Sequence, residues 1–234
     1  MVWNAFANRF KQSRRGKERR RRDRTAVRDR GAFVPSLGGE SLESRAMLAV
    51  AQLVGNDLQI DFTATGSTAE AVTIASDGTN YTLAGDITGT TSFAVASVNR
   101  ITLSASGNST AQMMTFQGGT AFSLSSGLTS TGVDTIDFKQ SVSTGSADIS
   151  ITAPRNISIY LVAMLETTSG TITLDADSGS QSSGSFVGVN IDGTILADSG
   201  NVIIEGRGGD AGDSQHGVVV GGTIYIGGTL SITG

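Results

Sequence analysis

From residue 51 onward, apolar and polar residues alternate with a period of two. Asp57-Leu58-Gln59-Ile60-Asp61-Phe62 switches at every step, as do Arg100-Ile101-Thr102-Leu103 and Asp148-Ile149-Ser150-Ile151-Thr152. A strand sends successive side chains to opposite faces, so this alternation predicts strands with one buried face. Threonine, valine and isoleucine dominate these runs, and Gly, Ser, Asp and Asn fill the gaps between them. No long stretch carries the 3.6-residue apolar period of an amphipathic helix. The most apolar run, Asn156 to Leu165 (NISIYLVAML), is β-branched near its start, at Ile157, and predicts a buried strand. The body is therefore expected to be all-β.

The last third adds a repeat. Ser169-Gly170-Thr171-Ile172-Thr173-Leu174 returns as Ser199-Gly200-Asn201-Val202-Ile203-Ile204 and again as Gly227-Gly228-Thr229-Leu230-Ser231-Ile232. Gly188-Val189-Asn190-Ile191 matches Gly217-Val218-Val219-Val220, and Gly193-Thr194-Ile195-Leu196 matches Gly222-Thr223-Ile224-Tyr225. Gly188 to Gly217 and Gly193 to Gly222 are both 29 residues apart. Three short strands per period, each opened near a glycine, suit one coil of a parallel β-helix. One coil cannot bury its inward side chains alone, so coils stack at about 4.8 Å and pair strand to strand. Ile172, Leu174, Val202 and Ile204 are expected to point inward, with threonine and serine facing water. Corner glycines are expected to supply backbone angles that other residues resist. For residues 150–234 the period favours a β-helix over a β-sandwich, which predicts alternation but no such interval. For residues 51–149 no repeat is visible, and a β-helix and a sandwich both fit.

Composition divides the chain. Residues 1–50 hold 13 Lys/Arg and 5 Asp/Glu, whereas residues 51–234 hold only Arg100, Lys139, Arg155 and Arg207 against 16 Asp/Glu. A basic head thus precedes an acidic body, with the boundary near residue 50. Residues 9–30, RFKQSRRGKERRRRDRTAVRDR, repel one another and cannot bury apolar surface, which predicts a disordered segment. The block also suits a nucleic-acid arm, since arginines neutralise phosphates, but no interleaved aromatics follow to stack bases. It suits equally the charged region of an export signal. The short apolar stretch Ala46 to Val54 follows, and Ala49-Val50-Ala51 fits a small-x-small cleavage pattern. No apolar run approaches the roughly 18 to 20 residues of a transmembrane helix.

Glu40-Ser41-Leu42-Glu43-Ser44-Arg45-Ala46-Met47-Leu48-Ala49 resembles the LEPR-XLL segment, an N-terminal element of large exported proteins in planctomycete bacteria. Leu42, Glu43, Arg45 and Leu48 match its core, Met47 stands where Leu or Met is usual, and Ser44 replaces proline. The resemblance implies a targeting role for the head, engagement of the export machinery, and an extracellular or cell-surface body. Residues 165–234 further resemble filamentous-haemagglutinin-like repeats of bacterial adhesins. That likeness implies a right-handed β-helical shaft in a structural or adhesive role. The chain stops partway through a period, at the position equivalent to Gly206, so a fragment of a longer protein is expected.

The residues for chemistry are few. With no cysteine and one histidine, thiolate sites, disulfides, multi-histidine metal centres and any triad needing a second imidazole are excluded. Asp175-Ala176-Asp177 opens like an EF-hand loop, but Gly179 and Phe186 occupy ligand positions five and twelve. Gly208-Gly209-Asp210-Ala211-Gly212-Asp213 resembles the calcium-binding G-G-x-G-x-D repeat, with Ala211 in a required glycine position. Asp175, Asp177, Asp210 and Asp213 therefore stand only as candidates for a loose calcium site. Asp134, Asp137, Arg155 and Arg207 are the residues a carbohydrate-active β-helix enzyme would draw on. In one extended strand, however, Asp134 and Asp137 fall on opposite faces. His216, in a polar turn, reads as solvated. The expected molecule is a non-catalytic surface protein that needs no cofactor. Its expected partners are glycans, matrix or neighbouring surface proteins, and nucleic acid is disfavoured.

Overall fold

The computed structural model describes residues 48–62, 69–105, 111–177, 182–213 and 215–234. The chain divides into Met1–Glu43 and Ser44–Gly234, and every described residue lies in the second unit. Of the targeting residues, Leu42, Glu43, Arg45 and Met47 lie outside the described residues; Leu48 lies just before the first strand, half-buried.

Alternation gives strands throughout. The first are β1 (Ala49–Val54), β2 (Asp57–Phe62), β3 (Glu70–Ser76), β4 (Asn80–Gly85), β5 (Ile87–Gly89) and β6 (Ser92–Ala94), followed by a 3-10 turn at Val95–Ser97. Triplets come next: β7 (Arg100–Ala105), β8 (Gln112–Gly118) and β9 (Phe122–Ser123); then β10 (Gly127–Thr131), β11 (Thr135–Phe138) and β12 (Val142–Ser143). The pattern continues with β13 (Ile149–Ala153), β14 (Asn156–Ile159) and β15 (Met164–Thr167), and with β16 (Ile172–Ala176), β17 (Val189–Ile191) and β18 (Thr194–Ala197). The last are β19 (Val202–Gly206), β20 (Val218–Val220), β21 (Thr223–Ile226) and β22 (Leu230–Thr233). No α-helix occurs among the described residues. The protein is all-β.

These strands form three sheets of nine, eight and five strands. From β10 onward each strand pairs in parallel with the strand three places earlier, so the chain visits the three sheets in rotation. One triplet is a rung. Stacking rungs aligns like with like: Leu58, Ile101, Leu128, Ile149, Ile172 and Val202 form one inward column of the first sheet, all fully buried. In the second sheet Ile74, Phe116, Phe138, Ile159 and Ile191 do the same. Each such side chain contributes about 1.5–3 kcal/mol when removed from water. Ile172, Leu174, Val202 and Ile204 all point inward, as their alternation predicts. Phe116 stacks on Phe138 with ring centroids 4.9 Å apart, and Tyr81 on Phe122 at 5.2 Å.

The register explains why only the last third looks repetitive. Along the first sheet, Ile101, Leu128, Ile149, Ile172, Val202 and Leu230 are partners in turn, at intervals of 27, 21, 23, 30 and 28 residues. The long intervals come from one corner. Three residues separate β10 from β11 and two separate β13 from β14, but twelve separate β16 from β17 and eleven separate β19 from β20. The 29-residue period is thus a short rung plus a loop of nearly constant length.

Two expectations are corrected. NISIYLVAML is not one buried strand: β14 ends at Ile159, the chain turns, and β15 begins at Met164. Leu161 and Val162 sit at that turn 80% and 76% exposed. The corner glycines of the repeat, Gly170, Gly193, Gly200, Gly222 and Gly228, do not use positive φ. They are required by close approach. A Cβ on Gly200 would strike the carbonyl of Gly170, one on Gly228 that of Gly200, and one on Gly222 that of Gly193.

The two ends of the stack differ. At one, β1 pairs antiparallel with β2 and parallel with β5, while β4 and β6 extend the second sheet by antiparallel pairing. Ala49 and Ala51, placed by composition in the export stretch, are buried in β1. At the other end, Leu230 and Ile232 of β22 are 44% and 45% exposed.

Candidate functional site

Outward positions of the strands carry the polar chemistry. Asp137 lies between the inward side chains of Ile136 and Phe138 on β11, on the outer face of the second sheet. It is nevertheless only 8% exposed. Two neighbours account for this. Tyr160, just beyond β14, donates its hydroxyl to Asp137 Oδ2 at 3.2 Å. Lys139, on the same side of the strand by period two, places Nζ 3.9 Å from the same oxygen and 5.2 Å from the Tyr160 ring centroid. Asp192, the next residue after β17, follows Tyr160 in register and accepts from Asn190 Nδ2 at 2.9 Å. Burial pushes the Asp137 carboxyl above the usual carboxylate range, against the Tyr160 hydrogen bond and the Lys139 charge. Burial likewise raises the Tyr160 phenol, and the charges of Asp137 and Asp192 add to it. The cluster can accept and donate protons or hydrogen bonds at the surface.

Asp134 does not share a strand with Asp137; it precedes β11 in a turn. Its Oδ2 accepts from the Gln112 backbone N–H at 2.9 Å, and its carbonyl accepts from the N–H groups of Arg155 and Asn156. Burial raises its carboxyl, while the Gln112 N–H and then the Arg155 charge pull the other way. The Arg155 guanidinium also lies 5.0 Å from the centroid of Phe186. Arg207 lies apart, in a shallow cleft with Gly208, Gln215 and Gly234. The four residues of the enzyme alternative therefore form two separate settings with Arg207 outside both.

The calcium candidates are also dispersed. Asp175 faces outward on β16, beside Thr152 and Glu205. Asp177, at φ 56°, accepts from the Ser182 N–H with both carboxylate oxygens at 2.9 Å and closes the corner loop. Asp210 Oδ1 accepts from Gly184 N–H at 2.8 Å, and Asp213 is exposed. Among the described residues no group of three or more His, Asp or Glu side chains could hold a metal ion. The carbonyl of His216 accepts from Gly188 N–H at 3.0 Å, so the backbone there joins adjacent rungs.

The outer face of the first sheet has a different character. Thr102, Thr129, Ser150 and Thr173 are register partners on successive strands, and two residues further along each strand lie Ser104, Thr131, Thr152 and Asp175. Thr102 and Ser104 donate to Asp57 and Asp61 on β2. The hydroxyls of Thr129, Thr131, Ser150, Thr152 and Thr173 bond to no other group among the described residues. A shallow cleft runs beside them, lined by Arg100, Ser126, Thr129, Asp148 and Ser150.

Comparison with protein-family models, curated proteins and solved structures finds no match. Among the described residues no helix is long and apolar enough to cross a membrane.

Lys139, Tyr160 and Asp192 are not singled out by the sequence. The i, i+2 spacing of Asp137 and Lys139 places them on one face and was the available signal. Tyr160 was hidden because its run reads as continuous buried strand.

Proposed function

We propose that this chain is a right-handed parallel β-helix serving as a stiff shaft of an exported, surface-located protein, with a structural or adhesive role. The strict three-sheet rotation is the observation that carries this reading. Each rung is held by backbone bonds to its neighbours and by shared apolar columns, so length is added without a new core. The outward rows stay polar along much of the stack and present a surface rather than a deep site. The acidic body, with four Lys/Arg against 16 Asp/Glu, suits neutral partners and repels polyanions such as nucleic acid. The LEPR-XLL-like residues Leu42, Glu43, Arg45, Met47 and Leu48 support export, with the basic head as the targeting element.

The burial of Ala49 and Ala51 in β1 sharpens where a leader would be removed. A cut within β1 would strip the partner of β2, so processing is expected upstream of Ala49. The test is fractionation of producing cells, with the mass and N-terminus of the mature chain. A product outside the cytoplasm beginning upstream of Ala49 is the expected result. An intact cytoplasmic chain would overturn the export reading.

A further inference from the structure

We infer that the outer face of the first sheet binds an extended, neutral, β-linked polysaccharide laid along the stacking direction, through the row Thr102, Thr129, Ser150 and Thr173. The inference rests on the surface-shaft reading and names its ligand class. Threonine suits any strand, but an outward face on which hydroxyls fill nearly every position presents a single chemistry. Here seven of the eight register positions in two rows across four successive strands, residues 102, 104, 129, 131, 150, 152 and 173, are Thr or Ser, and Asp175 is the eighth. The intervals between partner residues vary from 21 to 27 residues over these strands, so sequence periodicity alone does not impose the match. The outer rows of the second sheet show no such uniformity: in register there stand Thr115, Asp137, Ser158 and Asn190.

The geometry defines a two-dimensional lattice. Hydroxyls repeat at about 4.8 Å between strands and about 6.7 Å along each strand. The advance per sugar of an extended β-linked glucan is close to the strand spacing, so successive sugars meet successive rungs. Each Thr or Ser hydroxyl can both donate and accept, which is what a sugar hydroxyl requires. Five of these hydroxyls have no partner in the chain among the described residues and are available. Arg100, Gly127 and Asp148 are neighbours in register at the edge of this row. Arg100 and Asp148 both line the cleft there and offer a donor and an acceptor to the rim of the glycan. Charge selects the ligand. Asp57, Asp61, Asp148, Asp175 and Glu205 share this face with one arginine, Arg100, so an anionic polymer is repelled.

The test uses the purified full chain, sedimented with microcrystalline cellulose and titrated with cellohexaose, with polygalacturonate as the anionic comparison. Wild type is expected to sediment with cellulose, and any hold on polygalacturonate, which the arginine-rich head can supply, is expected to be the same in the row variants. The triple variant Thr129→Ala, Ser150→Ala, Thr173→Ala is expected to lose affinity by roughly tenfold or more, because three hydrogen-bonding groups are removed. The double variant Thr129→Ser, Thr173→Ser keeps the hydroxyls and is expected to bind like wild type. Ser158→Ala, on the second sheet, is also expected to bind like wild type. Circular dichroism of each variant separates loss of binding from loss of fold. Failure of wild type to bind cellulose, weakened polygalacturonate binding in the folded triple-alanine variant, or undiminished cellulose binding by that variant would each overturn the inference. An exported chain that ignores cellulose removes this inference alone, whereas a chain retained in the cytoplasm removes the shaft reading.

Discussion

Asp137 shows how a single outward residue can behave like an interior one. Tyr160 bonds to its carboxylate and Lys139 stands beside it, yet burial outweighs both and disfavours its charged form. An acid whose folded pKa is raised holds its proton longer in the folded state than in the unfolded chain. The folded state then binds more protons, and stability falls as pH rises from the ordinary value of 3.8 through the raised one. Asp134 acts with the same sign. Asp77, whose carboxylate accepts the N–H groups of Asn80 and Thr79, has a lowered pKa and acts oppositely below that value. Asp137→Asn keeps an oxygen that can accept from Tyr160 but cannot ionise. In urea titrations across the acid range, the variant should lose part of the decline in stability just above pH 3.8 that wild type shows. A wild-type profile that rises through this interval, or a variant with an unchanged slope, would contradict the assignment.

At the level of strands and corners, the stacking distance decides which residues are allowed. Where the chain leaves the third sheet for the first, Gly170, Gly200 and Gly228 lie one above another, and the space a Cβ would need is held by the carbonyl of the residue beneath. Backbone cannot swing aside as a side-chain tip can. Gly200→Ala should therefore destabilise by about 1–3 kcal/mol, as overpacking does. Gly119→Ala, where nothing lies within 4 Å of the added methyl, should stay within about 0.5 kcal/mol of wild type. Denaturant midpoints of the two variants measure the contrast, and equal effects would refute the close-approach account. The positions of these glycines were legible in the sequence as a repeat; the reason for them was not, because a steric clash between residues 30 apart has no local signature. Strand identity and the inward set Ile172, Leu174, Val202 and Ile204 were equally legible, since alternation is local. The turn at Tyr160 to Ala163 was not. Its Leu161 and Val162 are apolar yet exposed, and no glycine or proline marks the break. The Asp137 cluster was lost with it, because a residue assigned to a buried strand cannot be placed over an outward carboxylate.

For the molecule as a whole, what matters is that each rung touches only its neighbours. Stability in such an array is close to a sum of rung and interface terms, so removing rungs shortens the stack without dissolving it. The two ends should not respond alike. Ending the chain at Ser199 removes β19 to β22 and leaves β16, β17 and β18 as the new edges. Each remaining rung keeps the neighbour on its other side, so the shortened chain should fold. Its dependence on denaturant should weaken, because less surface is exposed on unfolding. Deleting residues 1–54 removes β1 instead. The edge of β2 then loses its antiparallel partner, β5 loses the strand it pairs with, and Ile60 loses the cover of Ala51. An uncovered flat edge invites pairing with other chains, so this deletion should aggregate or elute as oligomers. Size-exclusion chromatography and circular dichroism of the two truncations decide the point. Two monomeric, folded products would show that β1 is not needed to close the stack, and would leave β1 free to belong to a removable leader. A monomeric Ser199 truncation beside an aggregating 1–54 deletion would place the start of the mature body at or before β1, since export that removed it would deliver an open edge to the cell surface.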